Sequence, residues 1–182
     1  MPHWKTATYK GVITLAKLTR GKYIVYLDTS FGSGTSSWYK IGKSLSSLDV
    51  ELNPDVSTER NIFDETYATD NGYTPQTTVE PYYADPEDSI YEKILDIAMN
   101  RKVGDDCRTK IMEVVIDKET GSSFNAWTED VLVKPTKTGG DTAGFSIPYD
   151  IYFDGGRQSG TVSYSDGTYK NGTPTFTSST AA

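Results

Sequence analysis

The sequence predicts a mainly β fold of the α+β class, an antiparallel β-sandwich or half-barrel with one flanking α-helix. Three observations carry this. Thirteen tyrosines and six phenylalanines in 182 residues suit pleated, half-buried surfaces. Short apolar or alternating segments recur between turns rich in Gly, Asn and Asp. Only one stretch places apolar residues at helical spacing. No composition break or internal repeat divides the chain, so residues 1–182 read as a single domain. Its N-terminal arm (about residues 1–10) and its tail (about 173–182) are expected to fray.

In chain order, Val12 to Leu18 and Lys22 to Asp28 flank Arg20-Gly21 as hairpin strands would. A Gly/Ser-rich loop, Ser30 to Ser37, follows. Trp38 to Ile41 and Leu45 to Leu52 read as strands, the second because Leu48, Val50 and Leu52 alternate with polar residues. Asn53-Pro54-Asp55 is a turn, and Glu59 to Thr66 and Thr77 to Tyr83 are further strands. The helix is expected to begin at Asp85, with Asp85 as N-cap, Pro86 at N1, and Glu87 and Asp88 in the first turn. Ile90, Ile94 and Ile97 make its apolar stripe, and Gly104 is placed to stop it. Ile111 to Ile116, Val131 to Val133, Phe145 to Phe153 and Thr161 to Tyr164 complete the strands, joined by turns at Asp154-Gly155, Asp166-Gly167 and Asn171-Gly172.

Composition removes most catalytic chemistry. Cys107 is the single cysteine, which excludes an internal disulfide and a cysteine zinc site. His3 is the single histidine, so Ser-His-Asp and Cys-His catalysis lack their base. No apolar run approaches the roughly 20 residues of a membrane span. Lys5, Lys10, Lys17, Arg20 and Lys22 break the N-terminus where a secretory segment would be apolar, so a cytoplasmic product without membrane insertion is expected. A net charge of −7 argues against gripping nucleic acid, which needs clustered Lys and Arg. The charge is uneven: residues 1–27 hold those five bases and no acid, whereas Asp49 to Asp130 holds 20 acids against 7 bases. Such asymmetry suits head-to-tail contact between copies, or equally a solvated acidic face beside a basic arm.

Two motifs invite chemistry and lose it. Gly42-Lys43-Ser44 matches the end of a phosphate-binding loop, but Ser37 stands where the motif needs its first glycine, so a turn is expected. Asp85, Glu87 and Asp88 lack calcium-loop spacing and are used by the helix start. The sequence therefore assigns no catalytic, metal or cofactor-binding residue and no small-molecule substrate.

The run Trp38-Tyr39-Lys40-Ile41-Gly42-Lys43-Ser44-Leu45-Ser46-Ser47-Leu48, leading into Asp49 to Pro54, resembles a stretch of the major tail proteins of long-tailed bacteriophages. The acidic, threonine-rich stretch Asp64 to Thr69, then Gly72-Tyr73-Thr74-Pro75, Tyr82-Tyr83 and Asp85-Pro86, falls in the same order, over about residues 38–165. That resemblance implies a tail-tube subunit forming hexameric rings that stack into a hollow tube in the virion, assembled in the host cytoplasm. It implies a tape measure protein and tail tip and terminator proteins as partners, with DNA passing through the lumen. About 24 strands in a closed barrel, tilted ~40°, would give a diameter near 50 Å, wide enough for a duplex. In the family a long loop reaches the adjacent ring. Here Asn53 to Tyr73 matches it, with Asn53, Pro54, Asp55, Glu59, Arg60, Asp64, Glu65 and Tyr73 as expected inter-subunit contacts. The basic arm, Lys5, Lys10 and Lys17, is expected to meet a neighbour's acidic band. A monomeric β-sandwich module binding carbohydrate or a cell-surface ligand is the alternative, and a two-carboxylate hydrolase a third reading.

Overall fold

One long strand organises the molecule. The computed structural model describes residues 17–117 and 122–179. In chain order these form β1 Tyr23–Asp28, β2 Trp38–Lys40, β3 Pro54–Arg60, β4 Thr66–Tyr73, β5 Gln76–Val79 and helix α1 Tyr91–Asn100. After the helix come β6 Arg108–Val115, β7 Phe124–Pro135, β8 Gly139–Asp141, β9 Gly144–Ser146, β10 Tyr149–Phe153, β11 Gln158–Tyr164 and β12 Pro174–Ser178. Eight strands make one curled antiparallel sheet, a half-barrel with the order β12-β11-β7-β6-β1-β2 and with β10 and β5 branching from β7.

The branch point explains the shape. One edge of β7 pairs with β6 from Val115↔Asn125 to Arg108↔Leu132. Its other edge is shared, β11 taking Phe124 to Thr128 and β10 taking Val131 to Pro135. Between them the chain kinks outward, with the Asp130 N–H donating to the Gly155 carbonyl (3.0 Å) and the Asp154 N–H to the Asp130 carbonyl (2.8 Å). β10 and β11 thus behave as one strand interrupted by a bulge, which strengthens local curl.

Both faces of the sheet are covered, which is why β1 reads as a continuous apolar run rather than an alternating one. Val25 and Leu27 join Ile111, Val131, Val133, Tyr149 and Ile151 in the cluster beneath the helix. Ile24 and Tyr26 join Met112, Val114, Phe124 and Val162 in the cluster on the opposite face. Helix α1 lies against β7, with Ile90 and Ile94 fully buried. Burial of side chains this size stabilises by roughly 1.5–3 kcal/mol each.

Several expectations are corrected. The helix begins at Tyr91, not Asp85. The Asp85 carboxylate accepts the Glu87 N–H at 3.0 Å and the Asp85 carbonyl accepts the Asp88 N–H at 2.9 Å, so the capping residues close turns before the helix. Arg101, at φ +50°, takes the left-handed C-terminal position expected of Gly104, its N–H bonding the Ile97 carbonyl. Leu45 to Leu52 is not a strand. Its carbonyls are taken by side chains, Leu48 O by Arg20 and Asp49 O by the Thr77 hydroxyl, and within it only Glu51 makes a sheet-type bridge, to Gln76. Glu59 to Thr66 is broken by a turn at residues 61–65. Phe145 to Phe153 is split into β9 and β10 around Pro148, which has no N–H for a ladder. The tail expected to fray supplies β12, paired with β11 from Tyr164↔Pro174 to Gly160↔Ser178. Arg20–Lys22 forms a single 3-10 turn, and β1 pairs with β2 and β6. The expected partner strand Val12 to Leu18 lies almost wholly outside the described residues, as do Lys5 and Lys10.

Candidate assembly interface

The segment Asn53 to Tyr73, expected as a long loop, is a two-stranded hairpin that joins no other sheet. Its base is closed by reciprocal bonds: the Thr74 N–H donates to the Asn53 carbonyl (3.2 Å), and Asn53 Nδ2 donates to the Thr74 carbonyl (3.2 Å). Asn53 sits at φ +43°, a conformation that Asn accepts more readily than most residues. Pro54 pairs with Tyr73, and the ladder then shifts register before Val56, with Asp55 at the irregularity. Further out, Tyr67 OH donates to Glu59 (2.7 Å) and Arg60 lies 3.6 Å from Asp64.

The tip is held by one side chain. Asn61 Oδ1 accepts the N–H of Phe63 (2.9 Å) and of Glu65 (3.1 Å), while Asn61 Nδ2 donates to the Glu65 carboxylate (2.8 Å). This turn leaves Ile62 92% and Phe63 76% exposed. Val56, Tyr67 and Tyr73 are exposed along the arms. Every expected contact from Asn53 to Tyr73 therefore lies on one projecting element, and Lys17 is exposed at the start of the described chain. The expectation of a strand over Glu59 to Thr66 does not reveal Ile62 and Phe63 as an exposed pair. An adjacent apolar pair between Asn61 and Asp64 was the available signal.

A recess of about 170 Å³ is walled by the buried or half-buried Tyr23, Ile41, Leu45 and Leu48 and rimmed by the exposed Arg20 and Lys40. Arg20 donates to the carbonyls of Tyr23 and Leu48 (both 2.6 Å), which fixes the guanidinium without neutralising it. Next to it is the edge strand β2. Among the described residues, β2 and β12 each have one partner strand and one unpaired side, and the outer side of β5 is bridged at Gln76 to Glu51.

A polar cluster lies on the β6 and β7 strands. Arg157 donates to Glu113 (2.7 Å) and Glu129 (2.9 Å), both carboxylates nearly buried, and its guanidinium stands 5.9 Å from the Trp127 ring centre. Tyr23 OH also donates to Glu113, and burial followed by the Glu113 charge pushes its phenol well up from the ordinary range. Such a cluster locks strands together, with Arg157, Glu113 and Glu129 each partnered.

Lys43 pairs with Asp85 (2.9 Å) and Asp88 (3.3 Å), and Tyr39 OH donates to Asp88 (2.9 Å). Hydrogen bonding to Lys43, then to the Glu87 N–H, holds the Asp85 carboxyl below its usual range. The glycine-lysine-serine motif is thus a turn with its lysine committed to carboxylates. Among the described residues no group of three or more His, Cys, Asp or Glu could hold a metal ion, and no helix is long and apolar enough to cross a membrane.

No family model matches the sequence, and no curated protein does. Among solved structures the chain is similar to the sheath/tube terminator, in the extended state, of the extracellular contractile injection system PVC. The match has 11% identity and a TM-score of 0.47, covering 78% of this chain and 95% of that one. A likeness at that level carries no functional conclusion for this chain.

Proposed function

We propose that this chain is the structural subunit of a phage-type tail tube, self-assembling into stacked hexameric rings that conduct DNA. The observation that carries the reading is the open sheet: among the described residues β2 and β12 end it with unpaired edges, and the half-barrel does not close on itself. Unpaired edges are templates for pairing with another chain, and ring closure removes them. In this role the separate hairpin β3–β4 would supply a second contact, to the adjacent ring. An acidic subunit, net charge −7, would let a duplex slide without adhering to the wall. In this role the chain works without catalysis or cofactor. A tape measure protein would lie inside the tube, tail tip and terminator proteins at its ends, and the particle would be built in the host cytoplasm.

Negative-stain microscopy with sedimentation of the purified protein across concentration tests the reading. Rings or tubes with a central hole are expected at high concentration. A protein that stays monomeric throughout and binds glycan would overturn it in favour of a binding module.

A further inference from the structure

We infer that the recess rimmed by Arg20 and Lys40 receives the Ile62-Phe63 hairpin tip of a second copy of this chain. The inference rests on the assembly reading above and names the two surfaces that meet.

The tip is built to be buried elsewhere. Asn61 ties the turn at three points, so Ile62 and Phe63 are held outward instead of collapsing onto β3 and β4. A turn ordered before binding loses little freedom when it docks. The recess is apolar where the tip is apolar, with Tyr23, Ile41, Leu45 and Leu48 as its walls. Its volume, about 170 Å³, is close to the roughly 150 Å³ of an apolar cavity that takes up benzene, so a phenylalanine ring fits.

Charge agrees with shape. The hairpin Pro54–Tyr73 carries five acids and one base, and Asp64 and Glu65 flank the apolar pair directly. The recess offers the opposite sign, because among the described residues neither Arg20 nor Lys40 forms an ion pair with a carboxylate. An anionic collar around an apolar plug thus faces a cationic rim around an apolar socket, an arrangement that fixes register as well as partner. Exposure of Ile62 and Phe63 shows that a chain's own tip does not fill its own recess. A tip-to-recess contact is therefore made between copies: repeated head to tail it builds a ring or a filament, and exchanged reciprocally it closes a two-fold pair.

Cysteine cross-linking with a charge swap tests this. Phe63→Cys protein mixed with Leu45→Cys protein, under mild oxidation, is expected to give a disulfide-linked dimer that neither variant forms alone; native Cys107 is buried and does not interfere. Phe63→Ser and Lys40→Glu are each expected to weaken self-association at least tenfold, and Glu65→Lys to restore it to Lys40→Glu. Wild-type assembly that Phe63→Ser leaves unchanged would overturn this inference while the assembly reading stands. Loss of assembly in Phe63→Ser without the mixed cross-link would place the tip in another socket and overturn the recess. A wild-type protein that never self-associates would overturn both.

Discussion

Arg157, at the kink between β10 and β11, donates to Glu129 of β7 at 2.9 Å, tying the bulge to the strand from which the sheet forks. The same guanidinium nitrogen reaches Glu113 of β6 at 2.7 Å, so one half-exposed cation holds two nearly buried carboxylates.

Arg157→Met keeps the stem beside Trp127 and removes the charge. Breaking a fully buried pair costs about 3–5 kcal/mol; solvent reaching Arg157 lowers the expected loss here to about 2 kcal/mol. Urea unfolding should show a lower midpoint at unchanged slope. Adding Glu113→Gln and Glu129→Gln to Arg157→Met should recover most of the loss, because the buried anions are gone. A triple variant weaker than the single one would show that the carboxylates are held by something other than Arg157.

Tyr149 is completely buried, its ring 5.5 Å from that of Tyr82, and neither hydroxyl has a hydrogen-bond partner among the described residues. Burial pushes the Tyr149 phenol far up, so it stays protonated. An unsatisfied buried hydroxyl costs about 1–3 kcal/mol, so Tyr149→Phe should be neutral or stabilising by up to about 1 kcal/mol. Thermal unfolding decides it, and a loss above about 1 kcal/mol would mean that the hydroxyl makes a bond in solution.

Gly160 is needed for a close approach rather than for its φ angle. A Cβ there would clash with the Thr177 carbonyl oxygen and stand 2.6 Å from the Phe176 ring, both on β12. Gly160→Ala is expected to push β12 off β11 and cost about 1–3 kcal/mol. Amide exchange should rise at residues 174–178, with β6 and β7 protected as before. Unchanged exchange would mean that β12 tolerates the shift.

How much of this was legible follows from where each signal acts. The apolar stripe of Ile90, Ile94 and Ile97 gave the helix because packing decides helix existence, and all three are buried. Its start was misplaced because Asp85 and Asp88 are capping residues that close turns equally well, and Tyr39 and Lys43, distant in sequence, engage them. The alternation at Leu48, Val50 and Leu52 promised a strand, yet Leu48 is buried and Leu52 exposed, since the segment meets a strand only through the single Glu51–Gln76 bridge. Edge strand β12 was invisible because Pro174 and its Thr/Ser-rich neighbours look like a loose tail until Phe176 packs on the cluster of Met112, Val114 and Val162. For the interface, the polar residues of the hairpin were singled out and the apolar tip was not, because only the turn around Asn61 turns Ile62 and Phe63 outward.

Excising the hairpin separates folding from assembly. No residue of β3 or β4 belongs to either core cluster, and the base is already closed by the Asn53–Thr74 bonds. Replacing residues 54–73 with a two-residue Asn-Gly turn should therefore leave the domain folded, with a melting temperature within a few degrees of wild type. Shortening a loop from twenty residues to two changes closure entropy by only about 2 kcal/mol, in favour of folding. Self-association should disappear, as read by sedimentation at the concentration where the wild type is expected to form rings. Tubes of normal length from the excised protein would mean that the sheet edges alone drive assembly and that the hairpin serves a different partner. An unfolded product would mean that β3 and β4 stabilise the sheet they stand beside, contrary to their exposure along nearly their whole length.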